Sequence, residues 1–129
     1  MSSEPEQTAY HTVTPYLVVP GVPALIDFAR QAFGAVELQR HQRPDGTIMH
    51  AEIKIGDSVV MMGESNDEFT AMPASLYLLA EDVDATYARA MEAGATSLRA
   101  PEEQSYGRSA GVRDAGGNLW WITSPSQAS

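Results

Sequence analysis

The chain has no cysteine, a single lysine (Lys54) and no long apolar run among its 129 residues. Without cysteine there can be no disulfide, no thiolate metal centre and no cysteine nucleophile. Basic residues are scarce altogether: eight Lys and Arg stand against 17 Asp and Glu, for a formal net charge of −9. Nucleic acids and anionic membrane surfaces both call for clustered positive charge, so neither is expected as a partner. No stretch approaches the roughly 20 consecutive apolar residues that a membrane span takes. The opening MSSEPEQTAYHT lacks the basic start and apolar stretch of a secretory signal, which leads to the expectation of a cytoplasmic protein. A Gly-rich phosphate loop is also missing.

What is present fits one α+β domain. The hydrophobic fraction of 43% is ordinary for a soluble globular chain, and the length suffices for a sizeable core. Residues 1–11 read as a flexible polar arm, 12–124 as the domain and 125–129 as a tail. TPYLVVPG (14–21) is rich in strand formers, and VPALIDFARQAF (22–33) spaces Val22, Leu25, Ile26, Ala29 and Phe33 for a helix that Gly34 stops. Residues 35–64 read as three strands turned at DG and GD, followed by a loop, SNDEFTAMPA. The acidic GESNDEF within this region reads as solvated.

The pattern then repeats at a shift of about 60 residues, too long for a solenoid repeat and present only twice. Tyr16 matches Tyr77, Val18 matches Leu79, Val22 matches Val83, Ile26 matches Tyr87, and Gly34 matches Gly94. SVVMM likewise matches NLWWI. Two tandem βαβββ modules follow, at about 12–64 and 75–124.

TPYLVV, MHAEIKIGDSVVMMGE and YGRSAGVRDAGGNLWWI resemble the vicinal oxygen chelate superfamily, which includes glyoxalase I, extradiol dioxygenases and bleomycin-binding proteins, and within it the PhnB-like branch. The resemblance spans about residues 12–124. It implies two modules whose sheets curl around a cavity, commonly completed in a homodimer, while leaving the activity open because the fold hosts several functions. Metal-dependent members place four His, Glu or Gln ligands at points that correspond here to Thr14, Met61, Ser75 and Trp121. None of the four is a usual ligand for a divalent cation in such a site, so no cofactor is expected, the metal chemistry of the relatives is not carried over at those positions, and the balance leans away from an enzyme.

The alternation of a strand sends Trp120 and Trp121 to opposite faces. If Trp121 stands where relatives project a carboxylate inward, it faces the cavity, and Trp120 and Ile122 pack under the helices. A two-residue loop at Asp45–Gly46 would set Val36 opposite Ile55 and Leu38 opposite Ile53 as a helix-covered face. Glu37 would then oppose Lys54, Gln39 oppose Glu52, and His41 oppose His50 on the other face, beside Met61. Together with Tyr16, Tyr77, Val18, Leu79, Leu119 and Trp121 these residues describe an apolar, aromatic pocket with a few polar groups on one wall, the usual make-up of a small-molecule site. Covering ~300 Å² of apolar ligand surface is worth about 7 kcal/mol before ordering costs, close to the roughly 8 kcal/mol of micromolar affinity.

Two functions follow. The first is a metal-independent protein that encloses an apolar or aromatic small molecule, antibiotic sequestration (resistance) being its most concrete form. Its ligand-binding candidates are Trp121, Tyr16, Tyr77, Met61, His50, Glu52, Tyr106 and Arg108. In this reading PEEQSYGRSA serves as a flap, and Arg108 clamps an anionic group. The alternative is a glyoxalase- or dioxygenase-type enzyme in which His50 and Glu52 act as acid and base. In another form of it, His41, His50 and Glu52 hold a displaced Zn, Ni, Mn or Fe. A third possibility is a cavity filled by the protein's own side chains.

Overall fold

A computed structural model describes residues 10–125. The first module runs β1 (Tyr16–Val19), α1 (Val22–Phe33), β2 (Val36–Gln42), β3 (Ile48–Ile55) and β4 (Ser58–Glu64). The second repeats that order as β5 (Ser75–Leu79), α2 (Val83–Glu92), β6 (Thr96–Gln104), β7 (Gly107–Arg113) and β8 (Leu119–Pro125). Each module closes into its own four-stranded sheet, ordered β1-β4-β3-β2 in one and β5-β8-β7-β6 in the other. The first strand of each lies parallel to the last, with Tyr16 beside Met61 and Tyr77 beside Trp121. The tandem α+β architecture expected from the repeat is therefore present.

Both helices begin and end for local chemical reasons. Gly34 takes a left-handed φ of 72° and donates its N–H to Arg30 at 3.1 Å, ending α1 where the spacing placed its stop. Helix α2 starts at Asp82, whose side chain accepts from the Ala85 N–H. Helix α1 has no such local cap. Its free N-terminal donors are taken instead by Glu64 at the end of β4, which accepts from Gly21 N at 2.6 Å and Val22 N at 3.2 Å.

The helices touch one another and cover one face of each sheet, α1 over β3 and β4, α2 over β6, β7 and β8. Under them lie Leu17, Val19, Ile53 and Met62 in one module and Val112, Trp120 and Ile122 in the other, all at most 2% exposed. Trp120 stacks near Phe33, ring centroids 4.8 Å apart.

Asp114 anchors the last hairpin. Only 4% exposed, it accepts from Gly116 N, Asn118 N and Nδ2, and the Trp120 indole. Asn118 in turn accepts from Ala74 N, holding the end of the intermodule linker.

The β2–β3 hairpin corrects the expected register. Gln39 does pair with Glu52, and His41 with His50, but bulges interrupt the ladder at Leu38 and again after His41. Val36 consequently faces Lys54, and Glu37 faces Ile53. A bulge supplies one extra residue and displaces everything beyond it to the other face. Val36 and Leu38 are accordingly 60% and 41% exposed rather than covered by a helix. The turn is longer than the expected two residues: Arg43 N bonds Thr47 O, Gly46 N bonds Arg43 O, and Asp45 accepts from the Thr47 N–H and hydroxyl.

Candidate functional site

Strand alternation delivers the expected aromatic residues to the faces that no helix covers. On the second sheet, Tyr77, Trp121 and Gly111 lie side by side across β5, β8 and β7. The Trp121 indole rests against Gly111, where a Cβ would come within 2.6 Å of the ring, and its Nε1 donates to the Ser75 hydroxyl at 2.8 Å. Trp121 is half-buried, while Tyr77 and Leu79 are 62% and 65% exposed. The two neighbouring tryptophans thus divide as alternation requires.

On the first sheet, Tyr16, Met61 and Glu52 form one row across β1, β4 and β3. Tyr16 extends over Gly63, whose missing Cβ leaves room for the phenol oxygen 3.0 Å from where that atom would stand. Its hydroxyl meets His50 Nδ1 at 3.2 Å, and His50 Nε2 meets Glu52 Oε2 at 2.8 Å. Glu52 is 2% exposed although it lies on the helix-free face. Tyr10, from the end of the expected flexible arm, donates its hydroxyl to both carboxylate oxygens at 2.8 and 2.9 Å. Burial pushes the Glu52 carboxyl up, but hydrogen bonds from His50, Tyr10 and Gln39 outweigh it and hold the group below its ordinary value. The remainder of that arm, residues 1–9, and the tail beyond Pro125 lie outside the described residues.

The candidates thus gather into two clusters, Tyr16, Met61, His50 and Glu52 on one sheet and Tyr77 and Trp121 on the other. Three expectations need correction. Arg108 is not a clamp for an anion: its Nε and Nη2 hold both oxygens of Asp84 at 2.8 and 2.9 Å, and its Nη1 holds Glu103 at 3.1 Å. It sits on the same face of β7 as Ala110 and Val112, toward α2, because residues two apart share a face. PEEQSYGRSA is not a flap but the paired end of β6 and β7. Tyr106 occupies its turn, 51% exposed, and four residues, or about 13 Å of strand, separate this end from Gly111.

Among the described residues the aromatic pocket is left open, with Tyr16 48% and Tyr77 62% exposed. A cleft of about 720 Å³ runs between the modules and is lined by Phe33, Leu76, Leu78 and Trp120 among others. Of the expected residues it takes Thr14, Tyr77 and Leu79. It is a seam beside the helices, and the aromatic faces themselves stand open.

The residues at the relatives' four ligand positions do not suit a divalent cation. Thr14 and Ser75 offer neutral hydroxyls, Met61 a thioether and Trp121 an N–H that points away its only polar atom to Ser75. The displaced set is not assembled: His41 Nε2 is engaged by Gln39 at 2.7 Å, and among the described residues no three His, Cys, Asp or Glu side chains converge as a metal would need. No helix among them is long and apolar enough to cross a membrane.

The sequence reading missed Tyr10, Glu64, Asp114 and Asn118. Only the turn signal of Gly116, Gly117 and Asn118 could have drawn attention to any of them.

Comparison with known proteins agrees with this architecture. The family model for the Glyoxalase/Bleomycin resistance protein/Dioxygenase superfamily matches residues 9–122. An uncharacterized protein of Mycobacterium bovis is 37% identical over 128 residues, the match covering 88% of this chain and 82% of its own length. Among solved structures, TioX from Micromonospora sp. ML1 superimposes with a TM-score of 0.71 at 26% identity, over 92% of this chain and 99% of its own. TnmS3, an antibiotic binding protein from Streptomyces sp. CB03234, gives 0.68 at 22% identity, over 92% and 100%.

Proposed function

The chain belongs to the Glyoxalase/Bleomycin resistance protein/Dioxygenase superfamily, and from that premise we propose that it is a metal-independent binding protein for an apolar, aromatic small molecule. Antibiotic sequestration is the concrete form we favour, within the PhnB-like branch that the motifs resemble. The observation that carries the reading is the indole of Trp121, set on the helix-free face beside an exposed Tyr77 and pinned by Ser75. A pinned ring offers a flat stacking surface without having to be ordered on binding, and each aromatic pair contributes about 0.5–1.5 kcal/mol beyond burial. The antibiotic-binding TnmS3 supports ligand capture on this fold at the level of architecture.

The described residues leave both aromatic faces open, and we propose further that a second copy covers them and completes each pocket in a homodimer. Exposed apolar side chains at Tyr16 on one sheet and at Tyr77 and Leu79 on the other support this, since uncovered apolar surface marks a contact or a ligand site.

Fluorescence tests the binding. Aromatic antibiotics that stack on Trp121 quench its emission in the native protein. In Trp121→Ala the remaining emitter, Trp120, is buried beneath the helices and the quenching disappears. Equal quenching in both proteins sinks the reading, as does a stoichiometric, chelator-removable divalent metal in the purified protein. Sedimentation at micromolar concentration tests the dimer, and a monomer carrying full affinity would refute it.

A further inference from the structure

The first sheet carries a linked set of polar groups that stacking alone does not require. We infer that Tyr16, His50 and Glu52 form a proton-accepting subsite, taking ligands that bear an acidic hydroxyl on an aromatic or enolic carbon and holding them as the oxyanion. The inference rests on the small-molecule binding proposed above and names the chemistry of what is bound.

The direction of each hydrogen bond follows from the carboxylate. Glu52 is buried and receives the Tyr10 hydroxyl on both oxygens. Being ionised it can only accept, so His50 Nε2, 2.8 Å from Oε2, must carry a hydrogen and donate. In the neutral imidazole Nδ1 is then the acceptor, and the Tyr16 hydroxyl 3.2 Å away donates to it. The phenol oxygen keeps lone pairs, and Tyr16 is 48% exposed on the open face. A ligand hydroxyl arriving there donates to Tyr16.

Proton transfer along this path is balanced. The ligand O–H bond breaks and its proton goes to the Tyr16 oxygen, while Tyr16 passes its own proton to His50 Nδ1. The ligand oxygen gains the negative charge and remains hydrogen-bonded to Tyr16. The imidazolium formed lies between that oxyanion and the Glu52 carboxylate, which stabilises it as a buried carboxylate stabilises a charged histidine in catalytic triads.

Surrounding groups shape the preference. His41 lies 6.4 Å from His50 between ring centroids, and Lys54 shares the face two residues beyond Glu52. The β4 neighbours Met61 and Gly63 carry no charge, and Tyr10 covers the carboxylate from the arm. A ligand carboxylate would arrive without a proton to give and would face Glu52 and a net charge of −9. An aliphatic alcohol holds its proton too tightly. Phenols, hydroxyquinones and enols acidified by conjugation are the class that fits. Gly63 is part of the arrangement, because a side chain there would intrude on the Tyr16 hydroxyl and on Met49 O.

4-Nitrophenol, whose phenolate is yellow, and 4-nitroanisole, which has the same ring and no proton to lose, are the probes. Each is titrated into the full chain, and bound nitrophenol is followed by absorbance across pH at saturation. We expect both to bind, and bound nitrophenol to ionise with a constant about tenfold or more larger than in water, the size of effect a neighbouring opposite charge produces. In Glu52→Gln the enhancement falls to less than half, and in Tyr10→Phe, which spares the relay itself, it falls part of the way. Nitroanisole binding without enhanced ionisation of nitrophenol overturns this inference alone, and so does an enhancement that Glu52→Gln retains in full while its circular dichroism is native. Failure of both probes to bind native protein overturns the aromatic-binding function and the subsite together.

Discussion

The indole nitrogen of Trp121 donates to the hydroxyl of Ser75 at 2.8 Å, so two positions to which the family resemblance assigns metal ligands are here joined to each other. The bond crosses the parallel β5–β8 pair and fixes how the indole lies against Gly111. The hydrogen bond and the glycine together leave an oriented ring on this face.

Gly111 tests that orientation. A Cβ there would stand 2.6 Å from Trp121 Cζ3 and 2.8 Å from Cε3, closer than packed atoms tolerate, and the ring must tilt away. Gly111→Ala is expected to cost about 1–3 kcal/mol of stability and to weaken quenching by aromatic ligands. Urea unfolding and ligand titration check the two effects separately; unchanged affinity at native fold would separate Trp121 from binding.

Acid should loosen the first sheet through Glu52. Its folded-state pKa lies below the ordinary value, despite burial, because His50, Tyr10 and Gln39 hydrogen-bond the carboxylate. A group shifted this way contributes stability above its unfolded pKa and loses it as pH falls through the folded one. Denaturant midpoints of the native protein therefore hold near neutral pH and decline as pH falls from the ordinary carboxylate range to below it. Asp45 and Asp84 are shifted in the same direction and persist in Glu52→Gln, so the variant should show a shallower decline rather than none. Parallel curves would refute the assignment.

Asp114 is expected to be the most costly polar residue to remove. Its truncation to alanine leaves Asn118 and the Trp120 indole without their acceptor in a site 4% exposed. Each buried unmatched donor costs about 1–3 kcal/mol, so Asp114→Ala should lose about 3 kcal/mol or more. Near-ultraviolet dichroism should also lose the fixed Trp120 signal.

Arg108→Ala, by contrast, should leave ligand binding as it is. The guanidinium serves Asp84 and Glu103 near the start of α2, and such exposed pairs contribute little and are screened by salt. A small, salt-sensitive change in the unfolding midpoint with unaltered quenching is the expected result. A large loss of affinity would return Arg108 to the site.

Periodicity made much of this protein legible. The matched strand–helix–strand spacings, Gly34 as a stop and the opposite fates of Trp120 and Trp121 all follow from the two-residue and 3.6-residue repeats, which are local properties of a chain. The central pairing of Gln39 with Glu52 and His41 with His50 was likewise readable, whereas the bulge at Leu38 was not, because a single unpaired residue leaves no periodic trace.

Tertiary structure alone decided who meets whom. Arg108 had a free choice of acids, and it was the packing of α2 on β7 that brought Asp84, 24 residues away, into its fork. Tyr10 reaches Glu52 across 42 residues, and Glu64 caps α1 from 43 residues further on. Sequence spacing carries the local geometry of each strand and helix. Polar partners separated by a module are chosen only when the packed elements bring them together, and at Glu52 burial makes a partner obligatory because water is no longer there to take its place.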